Sequence, residues 1–323
     1  PLPQKQCFAQ ALDNYPDDQR IIVGMSQLTP TYLVDASVYI FRAWFSMPEG
    51  FENSQGQPTN AVYGFARFLC ELIEQTQSHQ IAIAFDESLT SSFRNELYPD
   101  YKANRDPAPE DLKRQFAWCR DLVQCLGLPA YWSDRYEADD LLASLATHCQ
   151  QNNRPIAVVT GDKDLAQLVV TPEDTWWDFA RNRRLDRAGV FEHFGVYPHQ
   201  IADFLALTGD NVDNIPGVPG IGPKTAAQLL KHFDSLDAVL DRIDEVEWLS
   251  LRGAKRVSGA LREHTEQIRL ARQLTGLAHD IEQVHANPKV DRLDGSPDAL
   301  DALLDSLGFG ALLRKRLHST FPS

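Results

Sequence analysis

Residues 156–164 read IAVVTGDKD, which is a run of four apolar residues followed by a turn and two aspartates. A short, continuous apolar run of this kind is typical of a buried strand in a parallel sheet. The pattern occurs twice earlier, where Thr31–Val34 precedes Asp35 and Ile81–Phe85 precedes Asp86. Ligands bind beyond the carboxyl ends of strands in open α/β sheets, so the three strand ends are expected to bring their aspartates to one crevice.

Two further acidic groups extend this set of candidate ligands. Residues 137–140 read EADD and open a predicted helix over Ala138–Gln150, and a later turn carries two more aspartates before a glycine-rich segment. Carboxylates brought this close together repel one another unless cations neutralise them. Magnesium and manganese prefer oxygen ligands, and two such ions can promote phosphodiester hydrolysis. The predicted metal ligands are Asp35, Asp86, Glu137, Asp139, Asp140, Asp162, Asp164, Asp210 and Asp213.

Each acidic group taken alone also fits a structural role. An aspartate after a strand often caps a turn, and acids at a helix start favour the helix dipole. The joint pattern favours metal binding, because four groups far apart in the sequence are expected at one edge of one sheet.

Composition restricts the class of protein. The chain has 323 residues, of which 43% are hydrophobic, so it can form a large core with a smaller second domain. No apolar run approaches the roughly 20 residues that span a bilayer, and no signal-peptide pattern is present, which predicts a cytoplasmic protein. The five cysteines are an odd number without a C-x-x-C pair, so neither a disulfide framework nor a thiolate zinc site is expected.

The net charge of −14 argues at first against a nucleic-acid partner. Nine of the acids belong to the proposed metal cluster, however, and bound cations would reverse much of the field there. Two segments are locally basic: residues 181–187 contain four arginines, and residues 252–272 contain six basic residues. These segments are candidate phosphate contacts, although each alone could equally be a solvated surface.

The predicted fold class is α/β, with a mostly parallel sheet flanked by helices. Residues 1–27 are polar and weakly patterned, and are interpreted as an N-terminal extension or a non-native start, with Met25 as a plausible beginning. Residues 28–195 are predicted to form the catalytic domain. Residues 196–323 are predicted to be a helical domain whose C-terminal part returns to the first domain.

A glycine-rich hairpin is the second motif. Residues 217–224 read GVPGIGPK and join two predicted helices within about residues 200–232. The backbone of a helix-hairpin-helix binds successive phosphates without reading sequence. A nucleotide-binding glycine loop is the alternative, but no strand precedes these glycines and the P-loop spacing is absent.

Residues 88–112 interrupt the α/β pattern and are predicted to form a mobile excursion above the sheet edge. Between Phe93 and Arg105, basic residues supply charge for phosphate, and aromatic rings can stack on bases, as a groove for single-stranded nucleic acid requires. The same mixture is common on ordinary surface loops.

Taken in order, these motifs resemble the 5′–3′ exonuclease domain of bacterial DNA polymerase I, within the wider family of flap endonucleases with a PIN-like catalytic domain. The resemblance extends from about Leu28 to Leu317. The matching motifs are Leu33-Val34-Asp35 with Tyr39 and Arg42, Phe85-Asp86, Phe93-Arg94, Tyr101-Lys102, Glu137-Ala138-Asp139-Asp140, Thr160-Gly161-Asp162-Lys163-Asp164, Gly209-Asp210 through Lys224-Thr225, Arg252-Gly253-Ala254-Lys255, and Leu307 to Leu313.

The resemblance implies that the nine acids hold divalent metal ions directly or through water. It implies that Lys102 and Arg105 lie in a helical arch over the site and contact the scissile phosphate, with Tyr101 stacking nearby. The predicted catalytic residues are Lys102, Arg105, Asp140 and Asp162. Loss of Asp140 or Asp162 is expected to abolish cleavage while leaving much of the DNA binding.

The resemblance also implies a potassium ion at the hairpin, bound by main-chain carbonyls near Val218 and Ile221. The predicted DNA-contacting residues are Arg42, Arg94, Tyr101, Lys102, Arg105, Gly217, Gly220, Gly222, Lys224, Thr225, Arg252 and Lys255. Two departures from the family pattern matter. The first is that no polymerase is expected after the exonuclease unit, so a separate polymerase is an expected partner. The second is that Asn211-Val212 replaces the small polar pair usual in the turn between Asp210 and Asp213.

These observations predict a monomeric, two-metal-ion nuclease that cuts DNA near a 5′ terminus or a flap during replication and repair. Two alternatives are a non-catalytic protein that binds branched DNA through the hairpin, and a PIN-type ribonuclease. The first would lack acids of the cluster, and the second usually lacks the hairpin and the long arch segment.

Overall fold

The structure is a computed structural model that describes residues 29–48, 50–86 and 92–321. The proposed N-terminal extension and residues 88–91 of the proposed arch lie outside the described residues. No helix within the described ranges is both long and apolar enough to cross a membrane.

Among the described residues the sheet has six strands in the order β3-β2-β1-β4-β5-β6, and all neighbours are parallel except the antiparallel pair β5–β6. This confirms the predicted α/β class with a mostly parallel sheet. The strands are β1 (Thr31–Asp35), β2 (Ile81–Ala84), β3 (Ala130–Tyr131), β4 (Ile156–Val159), β5 (Thr175–Asp178) and β6 (Arg183–Leu185).

Helices cover both faces of the sheet and, with the loops that join them, form most of the other described residues. The helices are α1 (Ala36–Ser46), α2 (Asn60–Thr76), α3 (Phe93–Leu97), α4 (Glu110–Cys125), α5 (Ala138–Gln151), α6 (Arg187–Phe194), α7 (Ile201–Thr208), α8 (Pro223–Phe233), α9 (Leu236–Asp241), α10 (Ile243–Val246), α11 (Ala254–Glu263), α12 (Thr265–Thr275), α13 (Glu282–His285), α14 (Pro297–Leu307) and α15 (Ala311–His318). Short 3-10 turns occur at Asp164–Leu168, Phe179–Arg181 and Pro198–Gln200.

Alternate residues of the central strands face two different cores, which explains why the strand sequences are apolar throughout. In β1, Tyr32 and Val34 pack with α1, α2 and α4, whereas Leu33 packs with α5. The C-terminal helices α14 and α15 join the first of these cores, as expected for a segment that returns to the catalytic domain. A third core lies within α6 to α12 and also takes in Tyr101 and Trp176.

This topology places the site. The strands β1, β2 and β4 are adjacent and parallel, so their carboxyl ends lie at one edge of the sheet. The start of α5 reaches the same edge, because the backbone N–H of Ala138 donates a 2.9 Å hydrogen bond to the carboxylate of Asp86, just after β2.

Candidate active site

Carboxylates from separate segments meet at the carboxyl edge of the sheet. Asp35 ends β1, caps α1 and accepts a 3.0 Å hydrogen bond from the Thr160 hydroxyl after β4. The charges of Asp86 and Asp162 lie close enough to Asp35 to raise its pKa. The predicted convergence of the three strand ends on one site is therefore present in the structure.

Burial and mutual repulsion disfavour the ionised form of four of these acids. Burial, with the nearby charges of Asp86 and Asp162, raises the pKa of Asp35 to about 7. Burial is also the main cause that raises the pKa values of Asp139, Asp162 and Asp164, with neighbouring carboxylates adding to it. One carboxylate oxygen of Asp164, Oδ1, is buried without a hydrogen-bond donor. Neighbouring cations only partly offset this burial and repulsion, so the chemistry of this donor set fits divalent cations.

The negative charge of Glu137 is balanced by a cation from the proposed arch segment, residues 88–112. The Lys102 ammonium lies 2.8 Å from Glu137 Oε2, and the Tyr101 hydroxyl donates to the same oxygen at 3.1 Å. Although burial opposes it, the charges of Lys102 and Arg94 lower the pKa of Glu137. Glu137 therefore stays ionised against a lysine of the chain itself.

The turn after α7 carries the last two acids of the cluster, and both are paired. Lys163 Nζ lies 2.8 Å from Asp210 Oδ2 and 3.6 Å from Asp164 Oδ1. Arg105 reaches Asp213 Oδ1 at 2.5 Å. Within the described ranges, no group of three or more His, Cys, Asp or Glu side chains has the arrangement of a formed metal site. The protein's own cations occupy oxygens that metal ions would take.

Asp140 lies apart from this cluster, and the contacts of its side chain do not support its predicted roles as a metal ligand and catalytic residue. Its side chain is fully buried, and both oxygens pair with the guanidinium of Arg94 at 2.6 and 2.8 Å. The N–H groups of Ala278 and Glu137 donate to the same carboxylate. Successive helix positions point about 100° apart, so Asp140 faces inward while Asp139 faces the cluster.

The burial of Arg94 contradicts the prediction that it contacts DNA. Arg94 is 2% exposed, and it also donates to the main-chain carbonyls of Leu274 and Gly276. All of these hydrogen-bond partners belong to the protein itself. The guanidinium therefore joins α3 to the end of α12 and the residue after it, and it presents no charge to a phosphate.

Tyr101 is likewise buried, at 3% exposure, which contradicts its predicted stacking on a base. Its hydroxyl donates to Glu137 and, at 3.0 Å, to Asp213. In the described part of the proposed arch, the chain forms the short helix α3, turns from residue 99 to 105, and then the start of α4. Lys102 and Arg105 face the carboxylates from these turns, and not from the helical arch that the resemblance implies.

The glycine-rich segment forms a tight turn between α7 and α8. A Cβ atom on Gly217 would lie 2.1 Å from the carbonyl oxygen of Thr208, so only glycine fits this close approach. Gly220 has a φ of +83° and is exposed, and Gly222 is exposed at the start of α8. Lys224 is exposed and Thr225 is half-buried in the first turn of α8.

Arg252 and Lys255 are exposed at the beginning of α11. The neighbouring Arg256 lies against the hairpin, since its guanidinium would be 3.2 Å from a Cβ atom on Gly220. The predicted hairpin contacts and the predicted contacts on α11 are thus joined through Arg256 into one basic surface.

A groove of about 400 Å³ leads away from the carboxylates. Arg42 is exposed on α1 and lines this groove together with Asp162, Lys163 and Arg181. The groove therefore has acids at one end and guanidinium groups along its walls, which suits a phosphodiester strand.

Sequence reasoning missed three residues of this region. Lys163 separates the two aspartates of the TGDKD motif and was treated as a spacer, although a lysine between clustered acids is itself a countercharge. Arg181 was noticed only as part of a basic run. Arg256 likewise belongs to the basic segment 252–272, but the sequence did not indicate its contact with Gly220, which joins segments 36 residues apart.

Comparisons with known proteins agree with this architecture. The family model for the 5′-3′ exonuclease, N-terminal resolvase-like domain, matches residues 30–195. The model for the 5′-3′ exonuclease, C-terminal SAM fold, matches residues 196–295.

Curated relatives include DNA polymerase I of Pseudomonas aeruginosa, which is 42% identical over 289 residues, or 88% of this chain and 31% of the relative. DNA polymerase I of Bacillus caldotenax is 35% identical over 286 residues, or 88% of this chain and 32% of the relative. The chain spans about a third of the length of these relatives.

Two solved structures share the fold. The bacteriophage T5 5′-exonuclease with bound zinc has a TM-score of 0.61 and 22% identity, covering 90% of this chain and 98% of that one. Flap endonuclease-1 from Methanococcus jannaschii has a TM-score of 0.61 and 15% identity, covering 91% of this chain and 92% of that one. Since the two family models together match residues 30–295, the chain belongs to the 5′-3′ exonuclease family of nucleases.

Proposed function

We propose that this chain hydrolyses phosphodiester bonds of DNA at or near the 5′ end of a strand, on flapped or branched duplexes, with divalent metal ions as cofactors. The observation that carries this proposal is the gathering of eight carboxylates at one sheet edge, where burial and repulsion raise the pKa values of four of them. Magnesium or manganese fits these oxygen donors. The residues proposed to hold the ions are Asp35, Asp86, Glu137, Asp139, Asp162, Asp164, Asp210 and Asp213.

Bound divalent ions would supply an activated water and neutralise charge on the attacking and leaving oxygens. The chain's own part is to bind and orient the phosphate. Lys102 and Arg105 have long side chains that already face the cluster, so each can exchange its carboxylate partner for a phosphate oxygen. Such a donor, fixed where negative charge develops in the transition state, commonly contributes a hundredfold or more in rate.

The hairpin is proposed to hold the duplex beside this site. Gly220 and Gly222 expose backbone near Lys224, and the first turn of α8 presents N–H groups to a phosphate. A potassium ion bound by the carbonyls of Val218 and Ile221 is part of the same proposal. The Val218 carbonyl accepts one hydrogen bond from the Ile221 N–H, which leaves it a second lone pair.

A 5′-flap duplex tests the proposal against its two alternatives. The labelled strand is supplied as DNA or as RNA, and cleavage is measured with magnesium and with EDTA. We expect magnesium-dependent cleavage of the DNA flap near the junction. Binding without cleavage under all conditions would indicate a junction-binding protein, and selective cleavage of the RNA strand would indicate a ribonuclease.

Asp162→Asn is the site variant for this assay, and Glu173→Gln is its matched control, because Glu173 is exposed and lies outside the cluster. We expect Asp162→Asn to lower the cleavage rate at least about a hundredfold, as for loss of one key charge-stabilising group. Cleavage by Asp162→Asn at the wild-type rate, or equal loss in the control, would overturn the assignment of the site.

A further inference from the structure

The antiparallel edge of the sheet carries four exposed arginines, which we call the arginine edge: Arg181, Arg183, Arg184 and Arg187. They lie on the β5–β6 hairpin and on the first turn of α6. Within the described residues, only Arg181 is paired with a carboxylate, that of Asp178 at 2.9 Å. The remaining three positive charges have no acidic partner there.

Several other arginines of this chain are held by carboxylates. Arg242 pairs with Glu245, Arg262 with Asp244 and Glu247, Arg314 with Asp301 and Asp305, and Arg316 with Glu74. The arginine edge carries a local excess of positive charge, since Asp186 is the one acid within residues 181–187.

Neutral groups hold these side chains in place without cancelling their charge. The Arg184 guanidinium donates to the Thr175 hydroxyl at 3.0 Å and lies 5.2 Å from the centre of the Trp177 ring. Arg183 contacts the His193 ring at 3.0 Å, and Arg187 lies 5.7 Å from the Tyr197 ring centre. Side chains held in this way lose less conformational entropy when they bind a phosphate.

The arginine edge is continuous with the groove of the candidate active site. Arg181 lines that groove together with Asp162 and Arg42. A nucleic-acid backbone that leaves the carboxylates along the groove passes Arg42 and Arg181 and then reaches β6. The hairpin surface is formed by other residues, those of α8 and α11.

We propose that the arginine edge is a second binding surface for the phosphate backbone of duplex DNA, additional to the helix-hairpin-helix surface. This inference rests on the proposed function. Arg183 and Arg184 are neighbours in an edge strand, so their side chains leave opposite faces of the sheet and spread charge over a width that suits a duplex.

The test compares the double variant Arg183→Gln/Arg184→Gln with wild type. Affinity for a 5′-flap duplex and for a single-stranded oligonucleotide is measured by fluorescence anisotropy, without magnesium, over a series of salt concentrations. We expect the variant to bind the duplex about fivefold to tenfold more weakly per lost contact at 0.1 M salt. The slope of log affinity against log salt should become shallower by about 0.9 per contact. Single-strand binding should change less than twofold.

Two further variants control for folding and for general charge. Arg183→Lys/Arg184→Lys keeps both charges and should retain most of the salt slope, which separates charge from packing on Trp177. Arg154→Gln removes an exposed arginine that precedes β4, at the opposite end of the strands, and should leave the slope unchanged.

Wild-type salt dependence in the glutamine variant would overturn the inference, and so would an equal loss of duplex and single-strand affinity. Failure of the wild-type protein to bind or cut the flap duplex would instead overturn the proposed function. The two failures are therefore distinguishable.

Discussion

Arg94 and Asp140 form a buried ion pair in which every oxygen of the carboxylate and most donors of the guanidinium have a partner. Burial of both groups, at 2% and 0% exposure, means that neither can be removed alone without leaving an uncompensated charge or polar group. The pair therefore holds α3, the start of α5 and the segment after α12 together.

We predict that Asp140→Ala lowers the free energy of unfolding by about 3–5 kcal/mol, as is usual when one partner of a buried pair is removed. Chemical denaturation followed by circular dichroism measures this change. The double variant Arg94→Met/Asp140→Leu should recover much of the loss, because it removes both charges. An Asp140→Ala protein as stable as wild type would show that the pair is not structural.

At the scale of elements, the turns between α3 and α4 are held to the turn after α7 by a set of contacts that we call the clasp, formed by residues 100–105 and 211–214. The Lys102 N–H donates to the Asp213 carbonyl at 3.0 Å, and the Asn104 side chain donates to the Asn211 carbonyl at 2.8 Å. Asn214 donates to the Asp100 carbonyl at 2.7 Å. The clasp brings Lys102 and Arg105 to the acids.

We predict that Asn214→Gly loosens the clasp without straining the turn, since Asn214 has a φ of +58° that glycine adopts readily. Loss of one hydrogen bond of about 1 kcal/mol should speed amide exchange of residues 100–106 about fivefold. Hydrogen–deuterium exchange with mass spectrometry measures this. Asn153→Gly is the control, because Asn153 also has a positive φ, of 53°, but precedes β4. Equal acceleration in the control, or none in Asn214→Gly, would contradict the role of the clasp.

At the scale of the whole molecule, the carboxylate cluster makes stability depend on pH when metal ions are removed. The pKa of Asp35 is raised from 3.8 to about 7 by burial and by Asp86 and Asp162. Between these pH values the folded protein keeps a proton that the unfolded chain has lost. The contribution of Asp35 to the free energy of unfolding is therefore most favourable below about pH 4 and is lost as the pH rises through about 7.

We predict that, in EDTA, raising the pH from 5 to 7.5 lowers the melting temperature by roughly 5 °C, and that Asp35→Asn removes part of this dependence. Differential scanning calorimetry measures both proteins. Adding magnesium at pH 7.5 should restore stability to the wild type, because a ligand that binds only the folded state stabilises it. Identical pH profiles for the two proteins in EDTA would show that Asp35 does not titrate as stated.

The strands, the carboxylates at their ends and the glycine-rich hairpin could be predicted from the sequence because each depends on local order along the chain. A short, mostly apolar run with an aspartate directly after it or within three residues marks the strand end in β1, β2 and β4 without reference to the rest of the molecule. The family could also be predicted from the order of the motifs, because these motifs are spaced over most of the chain.

The partners of the charged side chains were decided only by the tertiary structure. Asp139 and Asp140 are adjacent in the sequence, yet one faces the cluster and the other pairs with Arg94, because the direction of a helical side chain depends on how the helix packs. Arg94 and Arg105 belong to the same segment, yet one is buried and the other reaches Asp213. The sequence by itself determined which residue types reach the sheet edge, and the packing of distant segments determined which of them remain available to a ligand, because burial and pairing are properties of neighbours in space.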